Sequence, residues 1–217
     1  MGGPPPSLLP SEAYAGLMGA APYDGAEIPA SMGSFDDTAV SLPSGAVPPV
    51  GLSVLLAPHG NQVVEQFCSR MVLPQAAAQE RLKRLELRSC YCDPKLSQGQ
   101  NWPKFVRRMA SVGMIDFAFS VDENVGVFFV KKKDGRRLRL IIDARRSNCW
   151  FEEPDHIPLA TGSSLGEIEL EPGQKLFIGH ADLCDAFYHF SLPRRLRRLF
   201  GLPRVRAGAV GVTEIQG

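Results

Sequence analysis

Hydrophobic side chains in the middle of the chain recur at the spacing of two amphipathic helices. One helix is predicted over 76–88, where charged residues fall on the face opposite the apolar ones. The other is predicted over 101–113, because Asn101 can cap its first turn and Gly113 can end its last. The predicted core positions of the two helices are Ala78, Leu82, Leu85, Phe105, Met109 and Val112.

Three apolar runs downstream of these helices predict β-structure. Residues 125–132 are aromatic and β-branched, and residues 137–143 begin with alternating cationic and apolar side chains. The pair Asp134-Gly135 between them is a strong hairpin signal. The third run, 175–182, is typical of a buried strand. We therefore expect an α+β fold.

The first part of the chain has a different composition. Residues 1–57 are rich in Gly, Pro, Ser and Ala with little periodicity, so we expect them to be disordered. No Lys or Arg precedes Arg70, so residues 1–69 carry a net charge of −6 and residues 70–217 a net charge of +7. We predict a disordered acidic tail over 1–69 and a basic folded domain over 70–217.

Composition also excludes several classes of protein. No apolar run approaches the roughly 18 residues of a membrane-spanning helix, and the first residues lack the pattern of a secretory signal. The five cysteines are scattered without the spacing of a zinc site. We expect free thiols and an intracellular location, in the nucleus or the cytoplasm.

The predicted hairpin is strongly cationic. Side chains of like charge on adjacent strands repel each other, and an anionic ligand such as a polyphosphate or a nucleic acid would neutralise them. A hairpin whose charges are merely solvated is the alternative. The cations occupy nine residues and are Lys131, Lys132, Lys133, Arg136, Arg137 and Arg139.

A second candidate site follows the third predicted strand. Asp182 would lie at the carboxyl end of that strand, where a carboxylate is a suitable ligand for Mg²⁺ in phosphoryl transfer. The spacing of Asp182 and Asp185 fits equally well the start of a helix, with a capping acid and a second acid in the first turn. In that case Phe187 and Tyr188 would be ordinary core aromatics.

The order of these features resembles the fingers and early palm of reverse transcriptases, and is closest to retroviral and retrotransposon enzymes. Their fingers carry a Lys-Lys-Lys-Asp hairpin, an Arg, an aliphatic pair and an Asp-x-Arg-x-x-Asn motif. Their first palm motif is an Asp followed, after four residues, by an aromatic. The likeness covers roughly 95–205, and its matching residues are Lys131 to Asp134, Arg139, Ile141, Ile142, Asp143, Arg145, Asn148, Asp182, Asp185, Ala186 and Phe187.

The resemblance implies a role for each matched residue. Lys132 and Arg139 correspond to the pair that closes over the triphosphate of the incoming deoxynucleotide. Asp182 corresponds to the catalytic carboxylate that holds both Mg²⁺ (or Mn²⁺) ions, with the carbonyl oxygen of Leu183 as a further ligand. Phe187 corresponds to the aromatic gate beneath the sugar, which excludes a 2′-hydroxyl.

The other matched residues belong to the nucleotide and template surfaces of this family. Backbone amides around Asp185 and Ala186 are expected to approach the triphosphate. The implied reaction is nucleotidyl transfer, in which a primer 3′-hydroxyl attacks the α-phosphate and pyrophosphate leaves. Contacts to the RNA or DNA template-primer are expected from Lys131, Lys133, Arg137, Arg145 and Asn148.

The second carboxylate motif of the family is missing. Reverse transcriptases carry a Tyr/Phe-x-Asp-Asp hairpin well downstream of the first palm motif, whereas this sequence ends at Gly217, 35 residues after Asp182. The Asp36-Asp37 pair lies upstream and cannot replace it. We therefore expect an N-terminal fragment of an RNA-directed DNA polymerase that is inactive by itself.

Three other interpretations remain open at the level of sequence. The chain could be a nucleic-acid-binding remnant without catalysis, which would bind in a salt-sensitive manner regardless of Asp182. It could also be a basic α/β fragment without a retained role, which would not unfold cooperatively. The third is an RNA-templated RNA polymerase, against which Phe187 at the gate position argues.

Overall fold

The computed structural model describes residues 31–44, 47–154, 167–177, 179 and 186–215. These residues form helices, one small mixed sheet and one parallel pair of strands, which confirms the α+β class. The strands are β1 (Met32–Gly33), β2 (Val40–Ser41), β3 (Val50–Gly51), β4 (Gly126–Lys131), β5 (Leu138–Asp143) and β6 (Phe190–Ser191). The helices are α1 (Leu52–Leu55), α2 (Gly60–Met71), α3 (Gln75–Arg84), α4 (Asn101–Ser111), α5 (Arg145–Asn148), α6 (Arg194–Arg197) and α7 (Ala207–Val210), with 3₁₀ turns at Pro94–Ser97 and Ala186–His189.

The predicted hairpin forms the centre of the larger sheet. Strands β4 and β5 pair antiparallel over their full lengths, and the strand order is β1-β4-β5-β2. The outer strand β1 is antiparallel to β4, whereas β2 is parallel to β5. A separate parallel pair joins β3 to β6. Among the described residues, no helix is long and apolar enough to cross a membrane.

Helix α4 covers one face of this hairpin. Its residues Phe105, Val106 and Met109 are buried against Phe129 and Leu140 of the hairpin and their neighbours. The predicted helix is therefore confirmed, but Val106 is buried in the core, whereas Val112, which was expected there, is not. The reason is that the helix ends at Ser111, so Val112 is only half-buried.

Helix α3 is also confirmed, with a shorter extent than predicted. Ala78 and Leu82 are both buried, and Ala78 belongs to a second apolar cluster that includes Trp150. The helix ends at Arg84, so Leu85 lies outside it and is exposed. The backbone turns sharply at Glu86, which has a φ of 52°.

The structure corrects the prediction of a disordered tail for residues 31–44 and 47–69. Phe35 is buried with its ring centroid 5.4 Å from that of Phe105 and 5.3 Å from that of Phe129. Val40 is buried in the same core, and most of α2 also falls within the predicted tail. Composition missed this order because a few apolar residues, without periodicity of their own, fill gaps in a core that distant elements supply.

The predicted strand over 175–182 is not formed in its described part. Residues 175–177 and 179 have no strand assignment, and Leu176 and Phe177 are 47% and 88% exposed. Ile178 and residues 180–182 lie outside the described residues. An apolar run becomes a strand only when a neighbouring strand satisfies its backbone groups, and no described strand pairs with this one.

A substitution of Phe35 tests whether the upstream segment belongs to the folded core. We expect Phe35→Ala to lower the free energy of unfolding by about 3–5 kcal/mol, because it removes a ring packed between two others. Phe119→Ala is the matched control, since Phe119 is 84% exposed. Urea denaturation of both variants measures the difference. If both variants lower the free energy of unfolding by the same small amount, residue 35 is not part of the folded core and the prediction of a disordered tail holds there.

Candidate nucleic-acid interface

The turn of the cationic hairpin is built around Asp134. One carboxylate oxygen accepts hydrogen bonds from the backbone amides of Arg136 and Arg137, each at 2.9 Å. The other carboxylate oxygen accepts a hydrogen bond from Nε of Arg137 at 2.5 Å. Gly135 takes the left-handed backbone conformation that the turn requires, with a φ of 67°. The backbone and side chain of Arg137, followed by the backbone of Arg136, lower the pKa of Asp134 to about 2. Asp134 is therefore ionised at neutral pH and holds the turn in shape.

The strand register places three of the predicted cations on one face. Arg139 lies opposite Val130, and the amide of Lys132 donates to the carbonyl oxygen of Arg137 at 2.8 Å, which extends the pairing beyond β4. Because side chains alternate along a strand, Lys132, Arg137 and Arg139 project to the same side. Lys131 alternates to the other side. Only Lys132 of these two lysines therefore lies on the side of Arg137 and Arg139.

Most of the hairpin cations have no carboxylate partner among the described residues. Arg137 is paired with Asp134, so part of its role is to stabilise the turn. All the others are exposed except Lys132, which is half-buried. Among the described residues, no ion pair includes any of the other five cations, which are Lys131, Lys132, Lys133, Arg136 and Arg139. A surface of this kind is suited to an anionic ligand.

At the base of the hairpin, Asp143 and Arg145 form a two-pronged ion pair. The side chain of Asp143 is fully buried and accepts from Nε and Nη2 of Arg145 at 2.9 and 2.7 Å. It also accepts from the amide of Tyr91 at 2.8 Å. Burial by itself would raise the pKa of Asp143, but these donors outweigh it and the pKa is lowered. Arg145 is thus held in place by its partner, and its predicted contact with template stays a prediction.

Arg145 and Asn148 also line an open depression on the surface. Its volume is about 430 Å³, and its walls come from α3, α5 and the segment after α5. Asn148 is exposed there, and Arg81 from α3 lies across from it with one guanidinium nitrogen 3.4 Å from Glu152. The structure therefore brings Arg145 and Asn148 together with Arg81, which no motif in the sequence indicates.

A second buried ion pair, also missed from the sequence, joins α5 to the loop before β4. Glu123 is 4% exposed and accepts from Nε of Arg146 at 2.8 Å and from the indole Nε1 of Trp150 at 3.2 Å. Burial would raise the pKa of Glu123, but Arg146, the amide of Asn124 and Trp150 together lower it. No local pattern could have revealed this contact, because Glu123 and Arg146 are 23 residues apart.

The predicted catalytic motif falls mostly outside the described residues. This applies to Asp182, Leu183 and Asp185, so their roles and the metal site remain predictions. Ala186 and Phe187 begin a 3₁₀ turn, and Phe187 is 91% exposed, so it is not a core aromatic. Within the described ranges, no group of three or more His, Cys, Asp or Glu side chains could hold a metal ion.

The two buried carboxylates predict how stability depends on pH. Their pKa values are lower in the folded than in the unfolded chain, so the folded chain binds fewer protons in acid. The free energy of unfolding should be highest above about pH 5 and fall as the pH drops through the lowered pKa values. Urea denaturation between about pH 7 and pH 3 measures this. Glu123→Gln should flatten the decline, and an unchanged slope would contradict the role of Glu123.

The chain was compared with protein-family models, with curated proteins and with solved structures. None of the three comparisons finds a match. The case for a function therefore rests on the residues themselves: the order and spacing of the motifs, and the cationic face of the β4–β5 hairpin.

Proposed function

We propose that this chain is the fingers part of a reverse transcriptase and that its β4–β5 hairpin binds the triphosphate of a deoxynucleotide. The observation that carries the proposal is the cationic face of the hairpin. Lys132 and Arg139 lie on that face with no carboxylate partner among the described residues. The carboxylate of Asp134, which could have neutralised them, instead accepts hydrogen bonds from Arg136 and Arg137 within the turn.

The two cations suit different parts of a triphosphate. The planar guanidinium of Arg139 can donate two parallel hydrogen bonds to one phosphate, whereas Lys132 acts as a point charge. Helix α4 covers the other face of the hairpin, so the phosphates approach from the side of Lys132 and Arg139. Lys131, Lys133 and Arg136 raise the positive potential of the same tip and favour contacts with template-primer phosphates.

The catalytic half of the proposal rests on the resemblance. Asp182 is the proposed ligand of Mg²⁺ or Mn²⁺, together with the carbonyl oxygen of Leu183. When bound, such ions activate the primer hydroxyl and neutralise charge on the phosphates. Asp185 and Ala186 are proposed to approach the triphosphate, and Phe187 to lie beneath the sugar. Further carboxylates are needed beside Asp182, because two-metal transfer uses more than one carboxylate at the metals.

A second candidate function is nucleic-acid binding without catalysis. The exposure of Leu176 and Phe177 favours it, because these residues do not form the strand that would present Asp182 at a sheet edge. The cationic hairpin would then bind phosphates of RNA or DNA through charge alone. The two functions differ in whether a single deoxynucleoside triphosphate binds specifically.

Binding of dTTP in the presence of MgCl₂ tests the proposed nucleotide site. We expect Arg139→Ala and Lys132→Ala each to raise the Kd about tenfold or more, since a charge-assisted hydrogen bond contributes about 1.5–3 kcal/mol. Arg107→Ala is the matched control, because Arg107 is an exposed cation on α4. Titration calorimetry gives the three values. If all three variants bind dTTP equally, the triphosphate role is wrong; strongly salt-dependent binding of single-stranded RNA would then support the second candidate.

The catalytic half is tested on the transcript and its full product. We expect the reading frame to continue beyond codon 217 into a Tyr/Phe-x-Asp-Asp motif, because two-metal transfer needs carboxylates besides Asp182. Primer extension by the full product should then be abolished by Asp182→Asn. A stop codon directly after Gly217, or extension that survives Asp182→Asn, would contradict the polymerase proposal.

A further inference from the structure

A segment of the predicted tail holds both outer edges of the cationic hairpin. We call residues 31–41 the N-terminal strap. At one end, the carbonyl oxygen of Ser31 accepts from the amide of Lys131 at 3.0 Å, and β1 pairs with β4. At the other end, the carbonyl oxygen of Ala39 accepts from the amide of Leu138 at 2.8 Å, and β2 pairs with β5. The strap therefore supports both hairpin strands close to the cationic tip.

The middle of the strap is fixed to the core. The ring of Phe35 packs between those of Phe105 and Phe129, and its amide donates to the carboxylate of Asp93 at 2.7 Å. Asp93 is itself buried, and its own amide donates to the carbonyl oxygen of Val127 in β4 at 2.8 Å. This anchor lies between β1 and β2, so it holds the strap without touching β2 directly.

The β2 end has a separate anchor, which is Arg108 of α4. Its guanidinium donates to the carbonyl oxygen of Asp37, to a carboxylate oxygen of Asp37 at 3.2 Å, and to the carbonyl oxygen of Val40 at 2.6 Å. Arg108 is half-buried, and the carboxylate of Asp37 balances its charge. A guanidinium can serve several acceptors at once because its donors are arranged in a rigid plane.

A short chain of contacts leads from this anchor to the proposed nucleotide site. Arg108 holds Val40, and β2 continues into Ser41, which is the register partner of Arg139. Strand β5 is thus paired with β4 on one side and with β2 on the other just where Arg139 projects. Arg108 belongs to a helix whose other face is buried in the core. Its contact with Val40 therefore fixes the position of β2 relative to the core.

We infer that Arg108 is a positioning residue for Arg139. The inference rests on the proposed triphosphate site. By keeping β2 paired, Arg108 holds the backbone of Arg139 in one place before the ligand arrives, so less ordering is needed on binding. Without Arg108, the edge of β5 opens and Arg139 keeps its charge but loses its fixed position.

A double-mutant cycle with dTTP and MgCl₂ tests this coupling. We expect Arg108→Ala to raise the Kd about fivefold in the otherwise unchanged chain and to have no further effect when Arg139 is already alanine. Arg107→Ala, the neighbouring exposed cation, should change neither value. Arg108→Lys should restore only part of the affinity, since lysine keeps the charge without the planar donors. Equal effects of Arg108→Ala in both backgrounds would overturn the inference.

Hydrogen exchange separates the failure of this inference from that of the proposed function. In Arg108→Ala, the amide of Leu138 should lose protection, because its acceptor Ala39 belongs to the released segment. The amide of Val125, which donates to the carbonyl oxygen of Gly201, is the internal control and should not change. Unchanged exchange at Leu138 would overturn the role of Arg108 even if dTTP binds. If the unsubstituted chain binds no dTTP, the proposed triphosphate site is wrong, and so is the proposed coupling of Arg108 to Arg139.

Discussion

The packing of Phe129 against Phe105 is the contact on which the rest of this structure depends. Their ring centroids lie 5.7 Å apart with the rings nearly perpendicular, and both side chains are fully buried. This contact fixes one face of the β4–β5 hairpin on α4. Phe35 adds a third ring to the same cluster and so brings the upstream strap into the core. Aromatic clusters of this kind combine a large buried area with a preferred ring geometry.

Burial of one hairpin face also decides where the charges can lie. Val127, Phe129, Leu138 and Leu140 fill the face toward α4, and Phe128 and Val130 are buried on the opposite face, so the cations are concentrated toward the tip. At the base of the hairpin the polar groups are buried, and each acid there is matched by an arginine. A buried carboxylate without a partner would be very unfavourable, which explains why Glu123 and Asp143 are both saturated with donors. At the tip, by contrast, Lys131, Lys132, Lys133, Arg136 and Arg139 have no carboxylate partner among the described residues.

Much of the hairpin and of the candidate site could be predicted from the sequence, because their signals are local. Asp134-Gly135 specifies the turn, and alternation along 137–143 indicates which side chains share a face. The predicted strand over 175–182 was wrong in its described part for the opposite reason. An apolar run shows that burial would be favourable, but it does not show that a neighbouring strand exists to pair with.

The sequence by itself determined the class of the fold, helices α3 and α4, the hairpin and the cations at its tip. Each of these depends on a pattern of residues that are close together along the chain. The tertiary structure alone decided which distant groups meet. Phe35 with Asp93, Arg108 with Val40 and Arg146 with Glu123 are separated by 58, 68 and 23 residues along the chain. Burial drives these contacts, because a polar or apolar group removed from water is stable only beside a matching partner. No local pattern specifies that partner, so the strap and its anchors became visible only in the folded chain.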